Sequence, residues 1–246
     1  MYPASIRNEA TRLRDAGESW SGIARKLGVH RSTLRDWQAG RSARTNDCAI
    51  CGPGELDEEA YAGLLGFYLG DGCVSRAART YFLRVACDAT QPGVIADVTD
   101  LIRRVRPEGR VFRPRAPGVT VVQSNWQHWP CLFPQHGPGR KHERPIVLEE
   151  WQRRIVKAHP ASFLRGLFHS DGCRVINSTK RPVAGVMKEY RYPRWQFVNA
   201  SGDIRELCCW ALDLVGVAWR RSNPRVISVS RREAVEALDA LIGLKS

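Results

Sequence analysis

Two aspartates stand one hundred residues apart in matching surroundings, Asp71-Gly72-Cys73 and Asp171-Gly172-Cys173. Each ends an apolar stretch that carries a glycine five residues earlier, Gly66 and Gly166. A glycine there strips the side chain from one helix face, so two such helices can approach closely along their length and bring their C-terminal ends together. Asp71 and Asp171 would then converge, and paired carboxylates bind hard, oxygen-preferring divalent cations such as Mg2+ or Mn2+. That chemistry fits phosphodiester hydrolysis, in which bound metal lowers the pKa of a water nucleophile and stabilises the leaving oxygen. The backbone carbonyls of Gly70 and Ser170 are candidate supplementary metal ligands, while Gly72 and Gly172 let the chain turn out of the helix. The acidic ends could instead cap turns at a repeat interface, but two carboxylates forced together without a metal repel each other at an energetic cost.

The elements that must position these groups repeat with the same period. After each Asp-Gly-Cys comes a strand-like run, residues 81–86 in the first half and 194–198 in the second. An amphipathic helix follows at 94–105 and 204–215, and then a pair of strand-like runs, 110–112 with 119–123 and 218–221 with 225–230. Each half closes on a helical stretch, the clearer being 233–242, and residues 135–150 bridge the halves. The expected architecture is α+β, a pseudo-two-fold tandem αββαββα repeat over residues 56–246, with halves of about 56–145 and 146–246.

Residues 64–72 read LLGFYLGDG and residues 164–172 read LRGLFHSDG. With leucine first, glycine third, aspartate eighth and glycine ninth in both copies, they resemble the motif of the single-chain, two-motif LAGLIDADG homing endonucleases. The resemblance runs from Leu56 to the C-terminus, and it departs from the family pattern at the sixth position, where Leu69 and His169 stand. It implies catalytic, metal-binding roles for Asp71 and Asp171 and two saddle-shaped antiparallel sheets that straddle double-stranded DNA. It also implies a basic or amide side chain near the scissile phosphate, for which Lys180 and Lys188, in the insertion after the second motif, are the candidates. His169 is read as a packing or hydrogen-bonding residue.

The strand regions carry the side chains that such a surface needs. Arg84, Arg113, Lys180, Lys188, Arg191, Arg194, Gln196, Arg220 and Arg221 are the candidate DNA contacts there, accompanied by Tyr81, Arg115, Gln123 and Arg225. Arg and Gln read guanine and adenine edges, and Lys mostly meets phosphate.

Ahead of this domain, residues 21–37 read SGIARKLGVHRSTLRDW. Ile23, Ala24, Leu27, Val29, Leu34 and Trp37 fall where a tight helix-turn-helix buries them, and the segment resembles the helix-turn-helix of resolvase-like and other small DNA-binding modules. Arg31, Ser32, Thr33, Arg35 and Gln38 then lie on the outer side of the third helix, suited to a major groove. Residues 1–45 carry nine Lys/Arg against four Asp/Glu and are assigned to this module, with 46–55 as a linker rich in small and turn-forming residues.

A chain of 246 residues with a net charge of +13 attracts polyanions. No stretch approaches eighteen consecutive apolar residues, so nucleic acid rather than membrane is the expected partner, and a cytoplasmic location follows, nucleoid-associated in a prokaryote. The eight cysteines lack the spacing of a disulfide framework and are read mostly as small buried hydrophobes in a reduced compartment. Cys48 and Cys51 have half the spacing of a zinc knuckle, but no second close pair follows; His128, Cys131, His136 and His142 are irregularly spaced. Zinc is therefore the disfavoured reading at both places. The internal repeat makes a monomer sufficient for cutting, and a helix-turn-helix leaves dimerisation open. The alternative to a cleaving enzyme is a transcriptional regulator that uses the same scaffold to bind DNA without cutting it.

Overall fold

Three helices form where the N-terminal apolar residues recur at helical spacing: α1 (Ala4–Asp15), α2 (Trp20–Leu27) and α3 (Arg31–Gln38). The Ser19 hydroxyl caps α2 by accepting from the Gly22 amide, and Gly28 ends it in the left-handed conformation at φ 64°. Ala10, Leu13, Ile23, Val29 and Leu34 are buried at the centre, with Ala24, Leu27 and Trp37 packed around them. The computed structural model describes residues 2, 4–39, 47–183 and 185–245. Its chain divides into two units, Met1–Glu55 and Leu56–Ser246. The expected boundary at 45/46 and residues 40–46 lie outside the described residues; the rest of the expected linker forms turns, in which the Gly52 amide donates to the Cys48 carbonyl (2.9 Å).

The second unit contains two similar halves. The first comprises α4 (Glu58–Leu69), β1 (Gly72–Arg76), β2 (Tyr81–Asp88), α5 (Pro92–Val105), β3 (Val111–Phe112), β4 (Arg115–Ala116), β5 (Val119–Trp126) and α6 (Trp129–Leu132). A 3-10 turn at Lys141–Glu143 and α7 (Glu150–Ala158) lead into the second half. That half comprises α8 (Pro160–Asp171), β6 (Gly172–Val183), β7 (Val186–Val198), α9 (Gly202–Leu214), β8 (Arg220–Asn223), β9 (Val226–Val229) and α10 (Arg232–Ile242). Both sheets are antiparallel, ordered β1-β2-β5-β3 with β4 also on β5, and β6-β7-β9-β8. The fold is the expected α+β tandem repeat, with strands that start earlier than the sequence suggested. β1 and β6 begin at the motif glycines, and β7 starts at Val186 rather than Arg194, because its first half is exposed on both faces and has no apolar alternation to reveal it.

Helices cover one face of each sheet. Leu83, Val85, Val122, Trp195 and Phe197 turn into that side and are buried, while their strand neighbours face away from it. At the middle lie α4, buried along its whole length from Ala60 to Leu69, and α8. Gly63 neighbours Ser162, Gly66 neighbours Gly166, and Gly70 neighbours Ser170, so the two helices advance in the same direction. A Cβ on Gly66 would strike the Phe163 carbonyl oxygen and lie 2.9 Å from the Cα of Gly166. One on Gly166 would strike the Gly63 carbonyl oxygen and lie 2.8 Å from the Phe67 nitrogen. Backbone therefore packs on backbone, which only glycine permits here.

Ion pairs between the halves reinforce this contact, Arg154 with Glu58 (2.8 Å) and Arg165 with Asp97. A buried polar chain holds the bridging segment: the Tyr61 hydroxyl donates to the Leu132 carbonyl (2.5 Å), and the Gln152 amide donates to the Tyr61 oxygen (2.6 Å). The Gln135 amide in turn donates to Gln152 (2.5 Å).

Gly66→Ala and Gly166→Ala are each expected to lower unfolding stability by about 2 kcal/mol or more, because the blocking atoms are backbone and cannot rotate away. Urea denaturation checks this, and unchanged midpoints in both variants would show that the helices do not meet at these glycines.

Candidate active site

The parallel helices end side by side, and the carboxylates that follow Gly70 and Ser170 come together there. A Cβ on Gly70 would collide with the Ser170 side chain and lie 3.2 Å from Asp171 Oδ2. Asp171 has its carboxyl pushed up to about 6, first by loss of solvent and then by the negative charge of Asp71. Loss of solvent also raises Asp71, opposed by the ammonium groups of Lys245 and Lys141. The two acids thus share one electrostatic site.

The surroundings differ between halves. Gly72 pairs with Val85 and Gly172 pairs with Phe197, so Cys87 and Asn199 hold equivalent places two residues further on. The Asn199 amide donates to Asp171 Oδ2 (2.6 Å). Cys87 is a buried thiol, raised to about 11 by burial and then by the charge of Asp71.

Two lysines that the sequence reading did not single out reach this site. Lys141 Nζ donates to the carbonyls of Tyr68 (2.5 Å), Leu69 (2.8 Å), Gly70 (2.6 Å) and Gly72 (2.9 Å), closing the C-terminal end of α4. Burial brings its pKa down to about 8, against the opposing pull of Asp171 and Asp71. Lys245 Nζ donates to the Ser170 carbonyl (3.2 Å) at the end of α8. Arg144 presents Lys141 by gathering the carbonyls of Gln135 (3.2 Å), Pro138 (3.2 Å) and Gly139 (2.9 Å) into one loop. Lys141 lies in a stretch without periodicity and Lys245 is next to last in the sequence, so no local signal marks either of them.

Lys180 and Lys188, expected as basic assistants, sit well along the β6–β7 hairpin. Lys180 is eight residues from Gly172, about 26 Å at strand rise. They do not reach the carboxylates. His169 is buried and its Nε2 lies 3.3 Å from the Gly243 carbonyl oxygen, while Nδ1 lies 3.9 Å from Asp97, which is a packing position.

On the sheet faces away from the helices, equivalent rows begin one residue after each motif glycine. Cys73, Arg84, Gln123 and Phe112 form one row; Cys173, Gln196, Ser228 and Arg220 form the other. Arg84 Nε donates to Gln123 Oε1 (3.1 Å) within its row. Arg194 shares the face of Gln196, and Arg113 is exposed beyond β3. Arg221 departs from expectation: its register matches Phe197 on the helix side, and it pairs with Glu206 of α9. Lys180 and Arg191 have that same strand parity, opposite to Lys188 and Arg194, though the outer hairpin is exposed on both sides. In the N-terminal unit Arg31, Ser32, Arg35 and Gln38 are exposed along α3 and Thr33 is half-buried.

Without divalent metal, Asp171 holds its proton in the folded chain at pH values where the unfolded chain has released it. Its contribution to stability is fully present below pH about 4 and is lost as pH rises through about 6. In EDTA, wild type is expected to lose stability relative to Asp171→Asn between pH 4 and pH 7, by on the order of 1 kcal/mol after allowance for solvent screening. Parallel melting curves across this range would sink the claim that the carboxylates are coupled.

No family model and no curated protein sequence matches this chain. Among solved structures it is similar to the LAGLIDADG meganuclease I-AabMI bound to uncleaved DNA, at 14% identity and TM-score 0.44, over 74% of this chain and 82% of that one. It is also similar to I-DmoI in complex with DNA and Mn, at 12% identity and TM-score 0.49, over 77% of this chain and 99% of that one. I-SmaMI bound to an uncleaved DNA target with calcium ions is similar at 10% identity and TM-score 0.46, over 78% and 87% of the two chains. The parallel glycine-packed helices, their joined carboxylates and the two flanking antiparallel sheets make residues 56–246 an α+β tandem repeat.

Proposed function

We propose that this chain binds double-stranded DNA at a specific site and cleaves it in a reaction that depends on a divalent cation, Mg2+ or Mn2+. The observation that carries this reading is the coupling of Asp71 and Asp171 at adjoining helix ends, where each acid is raised by lost solvent and Asp171 is raised further by its neighbour. A binding protein gains nothing from acidic groups beside DNA phosphates. The donor set is all oxygen, two carboxylates with the Gly70 and Ser170 carbonyls, and suits a hard cation. Bound there, such a cation would supply an activated water and charge neutralisation at the leaving oxygen.

The chain's own residues do the rest. Asn199 orients the Asp171 carboxylate through its 2.6 Å hydrogen bond. Lys141 and Lys245 hold positive charge beside the carboxylates, which offsets their repulsion of an arriving phosphate. Arg84, Gln123, Gln196, Arg194 and Arg220 face away from the helices and offer donors and acceptors to base edges. Arg31, Ser32, Thr33, Arg35 and Gln38 of α3 would add a second, independent DNA contact, with 1–45 as the binding module and 56–246 as the endonuclease domain.

One observation favours binding without cleavage: the Gly70 and Ser170 carbonyls already accept hydrogen bonds from Lys141 and Lys245. The test incubates purified full-length protein with a randomised duplex library, with Mg2+ or with EDTA, beside Asp71→Asn, Asp171→Asn and Lys141→Met. Mg2+-dependent cutting at one site is expected, reduced at least about 100-fold in each aspartate variant with binding retained. Specific retention of DNA with no cleavage under Mg2+ or Mn2+ would leave a regulator on a nuclease fold.

The two halves should read unequal lengths of DNA. The β1–β2 ladder has five residue pairs and the β6–β7 ladder has twelve, an excess of seven residues, or about 23 Å at strand rise. Replacing residues 180–189 with a two-residue turn is expected to shrink the protected footprint on one side only and leave the cut position unchanged. Footprinting checks this, and a loss shared by both sides would refute it.

A further inference from the structure

We infer that Arg84 and Gln196 make the two half-sites of the DNA differ, Arg84 by reading a guanine on the side of the first half and Gln196 by reading an adenine at the mirror position on the side of the second. Such contacts presuppose the DNA binding proposed above and need no cleavage. The two residues hold equivalent places: Arg84 pairs with Cys73 and Gln196 pairs with Cys173, each one residue beyond a motif glycine. Both are half-buried on the sheet faces turned away from the helices. The rows that start beside the carboxylates open with the same residue type, cysteine, and diverge at the next place. A duplex lying across both rows therefore meets equal side chains first and unequal ones second.

Arg84 is held as a rigid fork. Its Nε donates to Gln123 Oε1 (3.1 Å), a terminal nitrogen donates to the Ser75 hydroxyl, and the guanidinium lies over the Phe82 ring, 4.8 Å from the centroid. Ser75 and Phe82 pair across β1 and β2 on the face that carries Arg84, and Gln123 is its partner on β5. Among the described residues these bonds occupy two of the five N–H donors of the guanidinium and leave the others for a ligand. A guanidinium fixed in advance loses little side-chain freedom on binding, and its parallel N–H groups match O6 and N7 of guanine. A phosphate contact would need no such bracing, since it asks only for positive charge within reach of the backbone.

In the second half every brace is replaced. Val175 stands in the place of Ser75, Arg194 in that of Phe82 and Ser228 in that of Gln123. Valine offers no acceptor, arginine offers a like charge in place of an aromatic ring, and Ser228 Oγ already accepts from the Ser222 hydroxyl (2.6 Å). An arginine at 196 would have nothing to hold it, and the chain carries glutamine there instead. A neutral amide brings one acceptor and two donors on one plane, which matches N6 and N7 of adenine. The changes form one unit: two acceptors and an aromatic ring accompany the arginine, and none of them accompanies the glutamine.

The test presents a randomised duplex library to the full chain in EDTA, so that binding is read without cutting, and sequences the retained molecules for wild type, Arg84→Gln and Gln196→Arg. Wild type is expected to select guanine at one position and adenine at its mirror position in the other half-site. Arg84→Gln is expected to turn that guanine into adenine, and Gln196→Arg to turn the adenine into guanine, each by at least about tenfold in relative retention and with the other positions unchanged. Melting curves report whether each variant folds, and the reciprocal pair keeps the result readable if one of them does not. If Arg84→Gln weakens retention of all sequences alike and flattens the salt dependence, Arg84 serves phosphate and the inference is overturned. Unchanged base selection in the folded variants overturns it too, while leaving specific DNA binding intact. A wild type that retains no specific duplex refutes DNA binding itself, and base reading with it.

Discussion

Everything in the second unit depends on how closely two helices can approach. Helices with ordinary side chains at the contact run 8–10 Å apart, and a carboxylate at the end of each would remain separated by the side chains between them. Gly66 and Gly166 bring backbone onto backbone, and Gly70 continues the contact to the last turn, where a side chain would occupy the space taken by Ser170. The sheets follow from the same constraint. Each begins at the glycine after the aspartate, so fixing the helix ends also fixes where β1 and β6 start and which residues form the first row beside the carboxylates.

Bringing the helices together creates an electrostatic problem at their C-terminal ends. The backbone dipoles of α4 and α8 already place partial negative charge there, and two carboxylates add more. The fold answers with cations drawn from outside the motif. Lys141 gathers four carbonyls around one ammonium, and Lys245 meets the carbonyl of Ser170. The compensation is partial, since burial still raises both carboxyl groups and the charge of Asp71 raises Asp171 further. That residual strain is relieved by anything that brings more positive charge, which is the property a cation-binding site needs.

The fold was legible because the repeat supplied two independent readings of one pattern. Gly66, Asp71 and Gly72 recur as Gly166, Asp171 and Gly172, and buried α4 and α8 had the apolar content to match. What escaped detection was long-range or two-sided. Lys141 reaches its carbonyls across about seventy residues through a loop shaped by Arg144, and nothing local marks it. The outer β6–β7 hairpin is exposed on both faces, so it carries no alternation, and residue type alone placed Arg221 on the wrong face.

The differences between the halves follow from having both in one chain. In a symmetric dimer every change appears twice, so an improvement at one carboxylate must be tolerated at the other. A tandem repeat removes that coupling. Asn199 can donate to Asp171 while Cys87 stands at the equivalent place near Asp71, and the two acids acquire different environments. The β6–β7 ladder can lengthen to twelve pairs while β1–β2 stays at five, because the strands lengthen away from the helix ends and leave the central contact unchanged. The glycine-packed helices are the part that cannot drift, since a side chain on either copy would collide with the backbone of the other. Conserved geometry at the axis and divergence toward the rim are therefore consequences of the same packing constraint.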